Sequence, residues 1–370
     1  MHPKVNYSST TKLHELCWRH DVDLASFEII HGIAGPRVGR LVTSHGEIDT
    51  PAFFPVGTHG AVRGLTPQEL RSVSVQGILA NTYHLHLRPG EQTIARLGGL
   101  HAFMAWDGPI LTDSGGYQVY SLDRCCERTE DGAYFHSPYD GSRVFLGPER
   151  CIAIQEALGA DLVVSLDEFE PIGGPLDEAV RQRIRGQMER TLRWAARCHR
   201  AHHRRDQLLF GVVQGGGFHD LRRESAERTA ELGFRAFALG GFGLGEPAHL
   251  RSELVETAVT ALPAAAPRYL MGLGTPHDLV EGGGMRCRFV RLHNTNPPRP
   301  PWLGIYEERS PEPAQRPLFG RPGASRRGLP LLRLHELFTR ISAPSDRHER
   351  YARRALALAP QHRILHAASR

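Results

Sequence analysis

The sequence predicts an α/β fold, a (β/α)8 barrel of the TIM type, and three observations carry that expectation. Seven short apolar, β-rich runs stand within the first 284 of 370 residues, near 52–56, 76–80, 109–112, 162–166, 208–213, 236–239 and 269–272. Such near-continuous apolar runs suit strands covered on both faces, as in a parallel sheet flanked by helices, and amphipathic segments separate most of them. Each run also leads into Gly, Asp, Gln or Asn. Barrel enzymes carry their chemistry at the C-terminal ends of the strands, where these residues would stand. A doubly wound open sheet is the competing architecture, but the G-x-G-x-x-G that should follow its first strand is absent.

Taken in order, the first run leads into Gly57 and the second into Asn81. The third is Pro109-Ile110-Leu111-Thr112-Asp113-Ser114-Gly115-Gly116-Tyr117-Gln118, in which a carboxylate ends the strand, glycines allow close backbone approach, and an aromatic follows. Pro148-Glu149 opens a helix that reaches Leu158, and the fourth run leads into Asp167-Glu168. A long amphipathic helix over 177–204 precedes the fifth run, which leads into Gln214 and Gly215-Gly216-Gly217. The sixth leads into Gly240-Gly241, a helix opened by Pro247 runs to 262, and the seventh ends on Met271-Gly272.

Composition bounds the function classes. With 40% hydrophobic and 23% charged residues the chain reads as soluble and globular, and no apolar stretch approaches the roughly 20 residues of a membrane span. The first 23 residues hold no apolar signal region, so a cytoplasmic location is expected. Cys17, Cys125, Cys126, Cys151, Cys198 and Cys287 form no C-x-x-C pair, which suits reduced thiols and offers no metal site. His199, His202 and His203, on an Arg-rich helix end, read as a solvated surface. The net charge of +5 is split, because residues 285–370 hold 17 Arg and no Lys against 6 acidic residues. That tail also holds 11 of the 26 prolines, and its composition would fit either an RNA-binding arm or a stretch that does not fold.

Asp113 and Asp167 each follow a buried strand. Carboxylates only accept hydrogen bonds, so two in one pocket suit a ligand that donates from several N–H groups, as the N1 and N2 edge of guanine does. Capping of the following helix is the bland alternative for each, weaker for Asp113 because Ser114-Gly115-Gly116 follows it. Gln214 and the backbone of Gly240 and Gly241 add donors for the O6 edge of such a base. Tyr117 and Met271 supply a ring and a thioether for its faces.

These segments resemble the tRNA-guanine transglycosylases, also called queuine tRNA-ribosyltransferases. The resemblance rests on TPAFFPVGTHGAVRGLTPQEL, NTYHLHLRPG, PILTDSGGYQVYSL, LGADLVVSLDE, LFGVVQGG, LGGFGLGEP and PRYLMGLGTPHDLVEG, and it covers roughly residues 28–282. It implies an irregular (β/α)8 barrel with a zinc-bearing insertion near its end, and a homodimer. It also implies exchange of the wobble guanine in the anticodon loop of tRNAs for Asp, Asn, His and Tyr against preQ1 or queuine, through a covalent ribosyl-Asp intermediate. By resemblance Asp113 is the proton acceptor. Asp113, Ser114, Gly115, Gly116, Tyr117, Asp167, Gln214, Gly240, Gly241 and Met271 bind the base. Gly272, Leu273, Gly274, Thr275, Pro276, His277 and Asp278 lie along the RNA. Leu244 leans toward preQ1 as substrate, and Phe169 replaces a Cys usual in bacterial members.

The resemblance breaks after Gly282. The family continues with an eighth strand of the type D-x-F-D-C, which holds the nucleophile, then C-x-C-x2-C and a His that bind zinc. This chain reads GGMRCRFVRLHNTNPPRPPWLG instead, so the eighth strand and the zinc subdomain are expected to be missing. Codons exist for the residues from Met285 onward such that reading one nucleotide later gives GADLFDCIIPTRHARHGWAFT. The same shift then gives CPCYAC in the register of Leu329 to Leu334 and a His in the register of Pro360. A frameshift near 282–284 is therefore expected, with the lost nucleophile in the register of Arg291 and no metal ligands in this reading. The division that follows is an N-terminal extension over 1–27, a barrel over 28–284 and an out-of-frame, disordered tail over 285–370. The chain as it stands is expected to be inactive. A non-catalytic RNA-binding homologue or a pseudogene product is the alternative, and a glycosidase is disfavoured because no sugar-binding loops accompany the two carboxylates.

Overall fold

The computed structural model describes residues 25–31, 38–122, 126–169 and 175–274, and the backbone of 289–291. Three antiparallel strands, β1 (Ser26–His31), β2 (Val38–Thr43) and β3 (Gly46–Thr50), form a meander ahead of the barrel. Then follow β4 (Ala52–Phe54), α1 (Pro67–Ser72), β5 (Ile78–Asn81), α2 (Thr82–Leu87), α3 (Glu91–Arg96), α4 (Gly99–Met104), β6 (Ile110–Asp113) and α5 (Gly116–Leu122). A small antiparallel sheet of β7 (Glu127–Arg128), β8 (Ala133–His136) and β9 (Arg143–Leu146) precedes α6 (Pro148–Leu158) and β10 (Leu162–Val164). The remaining units are α7 (Glu178–Ala201), β11 (Leu208–Val213), α8 (His219–Glu231), β12 (Ala236–Leu239), α9 (Ala248–Ala261), β13 (Arg268–Leu270) and β14 (Phe289–Arg291). All seven apolar runs of the sequence are strands of one eight-stranded sheet, ordered β4-β14-β13-β12-β11-β10-β6-β5, with every pairing parallel. A parallel bridge between Val56 and Leu79 joins its two ends, with Gly57 N–H donating to Leu79 O at 2.6 Å and Leu79 N–H to Pro55 O at 3.0 Å.

The apolar strands divide their side chains between two cores with a period of two. Leu111, Leu162, Val164, Phe210, Val212, Ala236 and Ala238 pack inside the barrel with Phe54, Leu79 and Tyr269. Ile110, Val163, Leu209, Val213, Phe237 and Leu239 face the helical layer instead. Leu41 and Ile48 of the meander join the inner core, and the meander lies against the N-terminal ends of the strands. That end is plugged, which leaves the opposite end for a site.

Helix boundaries follow local chemistry. Thr66 and Glu69 form a reciprocal capping box on α1, with Pro67 in its first turn. Asp177 accepts from Val180 N–H at 2.8 Å and opens α7. The helix begun at Pro148 stops at Gly159 in a left-handed conformation, φ +75°.

One expectation is corrected at the eighth position. A gap was expected there, yet the backbone of Phe289–Arg291 pairs with β13 on one side and with β4 on the other. The physical reason is that ladder pairing uses only backbone groups. Two exposed parallel edges accept an extended triplet containing Phe and Val whatever side chains the family carries there. This strand falls inside the segment that the sequence reading assigned to an unfolded tail; 1–24 and 292–370 lie outside the described residues.

Candidate active site

At the C-terminal ends of the strands a pocket enclosing about 550 Å3, open to solvent, is lined by residues from four loops. Asp113 ends β6 on the inward face, two positions beyond Leu111, and is 4% exposed. The buried Tyr269 hydroxyl donates to its Oδ1 at 3.2 Å. Asp167, 7% exposed, follows β10. Its Oδ2 accepts from Gln214 Nε2 at 2.7 Å and its Oδ1 from Ser114 Oγ at 3.4 Å, so both carboxylates meet side chains of the pocket. Burial pushes the Asp167 carboxyl up to about 6; the Gln214 amide opposes this, and the charge of Asp113 adds to it. At neutral pH Asp167 is still mainly ionised, an acceptor-only wall suited to a ligand with paired N–H donors.

Gln214 follows the inward-facing Val212 by two residues, and its backbone N–H is held by Ser225 Oγ at 3.0 Å. Its side-chain amide lies so close to the β12 loop that a Cβ on either Gly240 or Gly241 would displace it. A Cβ on Gly240 would stand 2.3 Å from Gln214 Nε2, and one on Gly241 2.8 Å from Gln214 Oε1. Leu244 also lines the pocket, and its N–H and that of Gly243 both donate to the buried Glu246 carboxylate, at 2.9 and 2.7 Å.

Among the sequence candidates, Asp113, Ser114, Gly115, Tyr117, Asp167, Gly240, Gly241, Met271 and Gly272 line this one pocket, and Gln214 supports it from behind Asp167. Gly116 sits beneath, where a Cβ would stand 2.9 Å from Asp167 O. The ring of Tyr117 lies parallel to that of Phe169, with centroids 5.5 Å apart and planes 10° from parallel. Phe169 therefore extends the aromatic wall. Leu273 turns into the core behind the strands and Gly274 is buried, while Thr275, Pro276, His277 and Asp278 lie outside the described residues.

Three contributors were not singled out from the sequence. Tyr269 reads as a core aromatic until its hydroxyl is seen on Asp113. Asn81 pairs in register with Asp113, caps α2, and keeps a buried Nδ2 without a partner among the described residues. The signal was available, because Asn81 ends an apolar run as Asp113 does. Arg222 is fully buried beneath the Gln214 and Gly240 loops.

The zinc that the family implies finds no fit among the described residues. The described cysteines are Cys126, half-buried, and Cys151 and Cys198, both buried. Burial pushes the Cys198 thiol up to about 12, far from a ready metal-binding thiolate. His45, His101 and Asp161 do converge at the plugged end of the barrel. However, the two imidazoles stack face to face with centroids 3.5 Å apart, so a shared ion would sit half that distance out of each ring plane. Imidazoles bind metals in plane, and this cluster is a hydrogen-bonded clamp instead.

Among the described residues no helix is long and apolar enough to cross a membrane. A sequence model described as queuine tRNA-ribosyltransferase matches residues 33–285, ending where the Arg- and Pro-rich segment begins. The queuine tRNA-ribosyltransferase of Halothermothrix orenii is 49% identical over 259 residues, 70% of this chain and 68% of that protein. Those of Acetivibrio thermocellus and Symbiobacterium thermophilum are 50% identical over 250 residues and 51% over 247, covering 66% and 60% of their lengths. With the family model matched over residues 33–285 and about half its residues identical to these relatives over two thirds of its length, the chain belongs to the queuine tRNA-ribosyltransferase family.

Proposed function

We propose that the pocket holds the guanine of a tRNA wobble position, and in its place preQ1 or queuine, in the exchange reaction that makes queuosine in tRNAs for Asp, Asn, His and Tyr. The observation that carries this reading is the convergence of two buried carboxylates, Asp113 and Asp167, with the Gly240-Gly241 backbone around one pocket, the Gln214 amide holding Asp167 from behind. Asp167 accepts from the N1 and N2 edge, and the Gly240-Gly241 backbone meets O6. Tyr117 and Met271 bound the faces of the base. The target nucleotide reaches such a pocket by leaving the single-stranded anticodon loop. The bulk of Leu244 favours preQ1 over queuine, and a homodimer on tRNA is the assembly we expect.

Exchange proceeds in two displacements. A carboxylate attacks ribose C1′, the bond from C1′ to guanine N9 breaks, and the leaving guanine takes up a proton that replaces the broken bond. The incoming base, losing its N9 proton to Asp113, then displaces the carboxylate and restores a glycosidic bond. The first carboxylate belongs at the C-terminal end of the eighth strand, where this chain has Arg291. The chain as it stands therefore binds base but does not complete exchange, and we attribute this to a frameshift near 282–284. The zinc ligands belong to the same lost segment.

The test compares this chain with a frame-restored version, using exchange of labelled guanine in tRNA. Exchange by the restored chain alone is the expected result. Exchange by neither, with tRNA still bound, would favour a non-catalytic RNA-binding homologue.

A further inference from the structure

Arg222 is a buried cation with no carboxylate bonded to it among the described residues. It stands on α8 at 0% exposure, and its hydrogen bonds all go to backbone carbonyls. Nε donates to Gly216 O at 2.9 Å, and Nη1 donates to Val213 O at 3.3 Å and to Gly240 O at 2.7 Å. Val213 and Gly216 flank Gln214, so one guanidinium fastens the loops that follow two adjacent strands. Its plane is braced by Phe242, with the guanidinium carbon 4.2 Å from the ring centroid. Nη2 has no hydrogen-bond partner among the described residues and faces Gly241, whose Cβ, if present, would stand 3.2 Å away. Burial lowers the guanidinium to about 9, with the charge of Glu246 opposing, so it stays charged at neutral pH.

A buried charge without an ion pair costs folding free energy, and a stabilising role does not account for it. The peptide it grips does. Gly240 O belongs to the same planar unit as the N–H of Gly241, and in a trans peptide these two groups point in opposite directions. Pulling the carbonyl down into the protein turns the Gly241 N–H up toward the pocket that both glycines line. A charged donor on the carbonyl end also polarises the unit and strengthens the N–H on the other end.

We propose that Arg222 is a positioning and specificity-determining residue: by holding the carbonyl of the Gly240–Gly241 peptide it sets the Gly241 N–H to recognise a 6-oxo acceptor on a bound purine. Arg222 touches no substrate and acts entirely through this peptide. The inference rests on the proposed base pocket.

The test measures equilibrium binding of guanine and of 6-thioguanine to the full chain by calorimetry. The thio analogue keeps the N1–H and N2 donors for Asp167 but offers a poor acceptor at position 6. The unmutated chain should prefer guanine. Arg222→Met should lose roughly fivefold in guanine affinity, the worth of one hydrogen bond, with little change for 6-thioguanine. Arg222→Lys, which can still donate to Gly240 O, should recover most of the preference. An equal loss for both bases in a folded Arg222→Met, or no loss, would overturn the inference. Should Arg222→Met fail to fold, Arg222→Lys and the unmutated chain still decide: no preference for guanine in the unmutated chain removes the effect that Arg222 is said to produce. Failure of the unmutated chain to bind either base would instead remove the proposed pocket itself.

Discussion

At Asp167 function and stability pull in opposite directions. Its carboxyl is raised from 3.8 to about 6, first by burial and further by Asp113, although Gln214 and Ser114 oppose the rise. A group whose folded value lies above its unfolded value favours folding below the unfolded value, and that contribution disappears as the pH rises through the folded value. The gap corresponds to about 3 kcal/mol at neutral pH, a cost that ends when the charge is removed. Asp167→Asn should therefore raise the melting temperature of the unliganded chain, because Asn still accepts one hydrogen bond and carries no charge to bury. The same variant should lose guanine binding, since an amide cannot accept from both N1 and N2. For the unmutated chain, guanine affinity should fall as the pH is lowered through about 6. A lower melting temperature with base binding intact would show that Asp167 is a structural carboxylate. Asp113, Asp167 and Gln214 were legible in the sequence because each closes an apolar run. Tyr269 and Arg222 were not, because their roles depend on contacts made 156 and 18 residues away along the chain.

At the scale of elements, the seven apolar runs and helices α6, α7 and α9 were legible because burial on both faces and amphipathic spacing are local properties, whereas α8 was not read from the sequence. The meander was not, since its role is set by what it packs against. His45 stands at the turn between β2 and β3, and its Nδ1 lies 2.7 Å from Asp161 Oδ1. On the other oxygen, Asp161 Oδ2 lies 3.1 Å from His101 Nε2 and accepts from Ile110 N–H at 2.8 Å. One buried carboxylate thus joins the meander, α4, β6 and the start of β10. Burial works against its charge, yet the bonds from His101, His45 and Ile110 outweigh it and hold the carboxyl below the usual range. The sign is opposite to that of Asp167: this contribution is present above the unfolded value of 3.8 and is lost as the pH falls through the lower folded value. Asp161→Ala leaves a buried N–H unpaired and releases both imidazoles, and should cost about 3 kcal/mol in urea unfolding near neutral pH. His45→Ala should cost less, about 1 kcal/mol, because that side chain is 39% exposed. Equal costs would mean that the carboxylate serves the hairpin alone.

Over the whole molecule, the eighth strand decides whether the sheet closes. Seven strands leave β13 and β4 with rows of unpaired backbone groups, and such edges are open to pairing with other chains. Phe289–Arg291 supplies the missing ladder by backbone alone, with Val290 opposite Leu270 on one side and Phe53 on the other. Closure of the sheet and competence of the site are thus separable, because the ladder accepts any extended triplet while the exchange proposed above calls for a carboxylate in the register of Arg291. That separation explains why the sequence predicted an open barrel where the backbone of β14 closes it. Family side chains were read as a requirement of the strand, when the ladder needs only backbone groups. Val290→Pro tests this directly, since proline removes a ladder donor in a strand paired on both sides. It should lower stability by about 1–3 kcal/mol, the cost of a buried carbonyl left unpaired, and increase self-association as the edges open. Val290→Thr, which keeps the N–H and a β-branched side chain, should retain most of the ladder and remain monodisperse in light scattering. If proline changes neither the melting temperature nor the scattering, β14 contributes nothing to closure, and the sheet ends at β13 and β4.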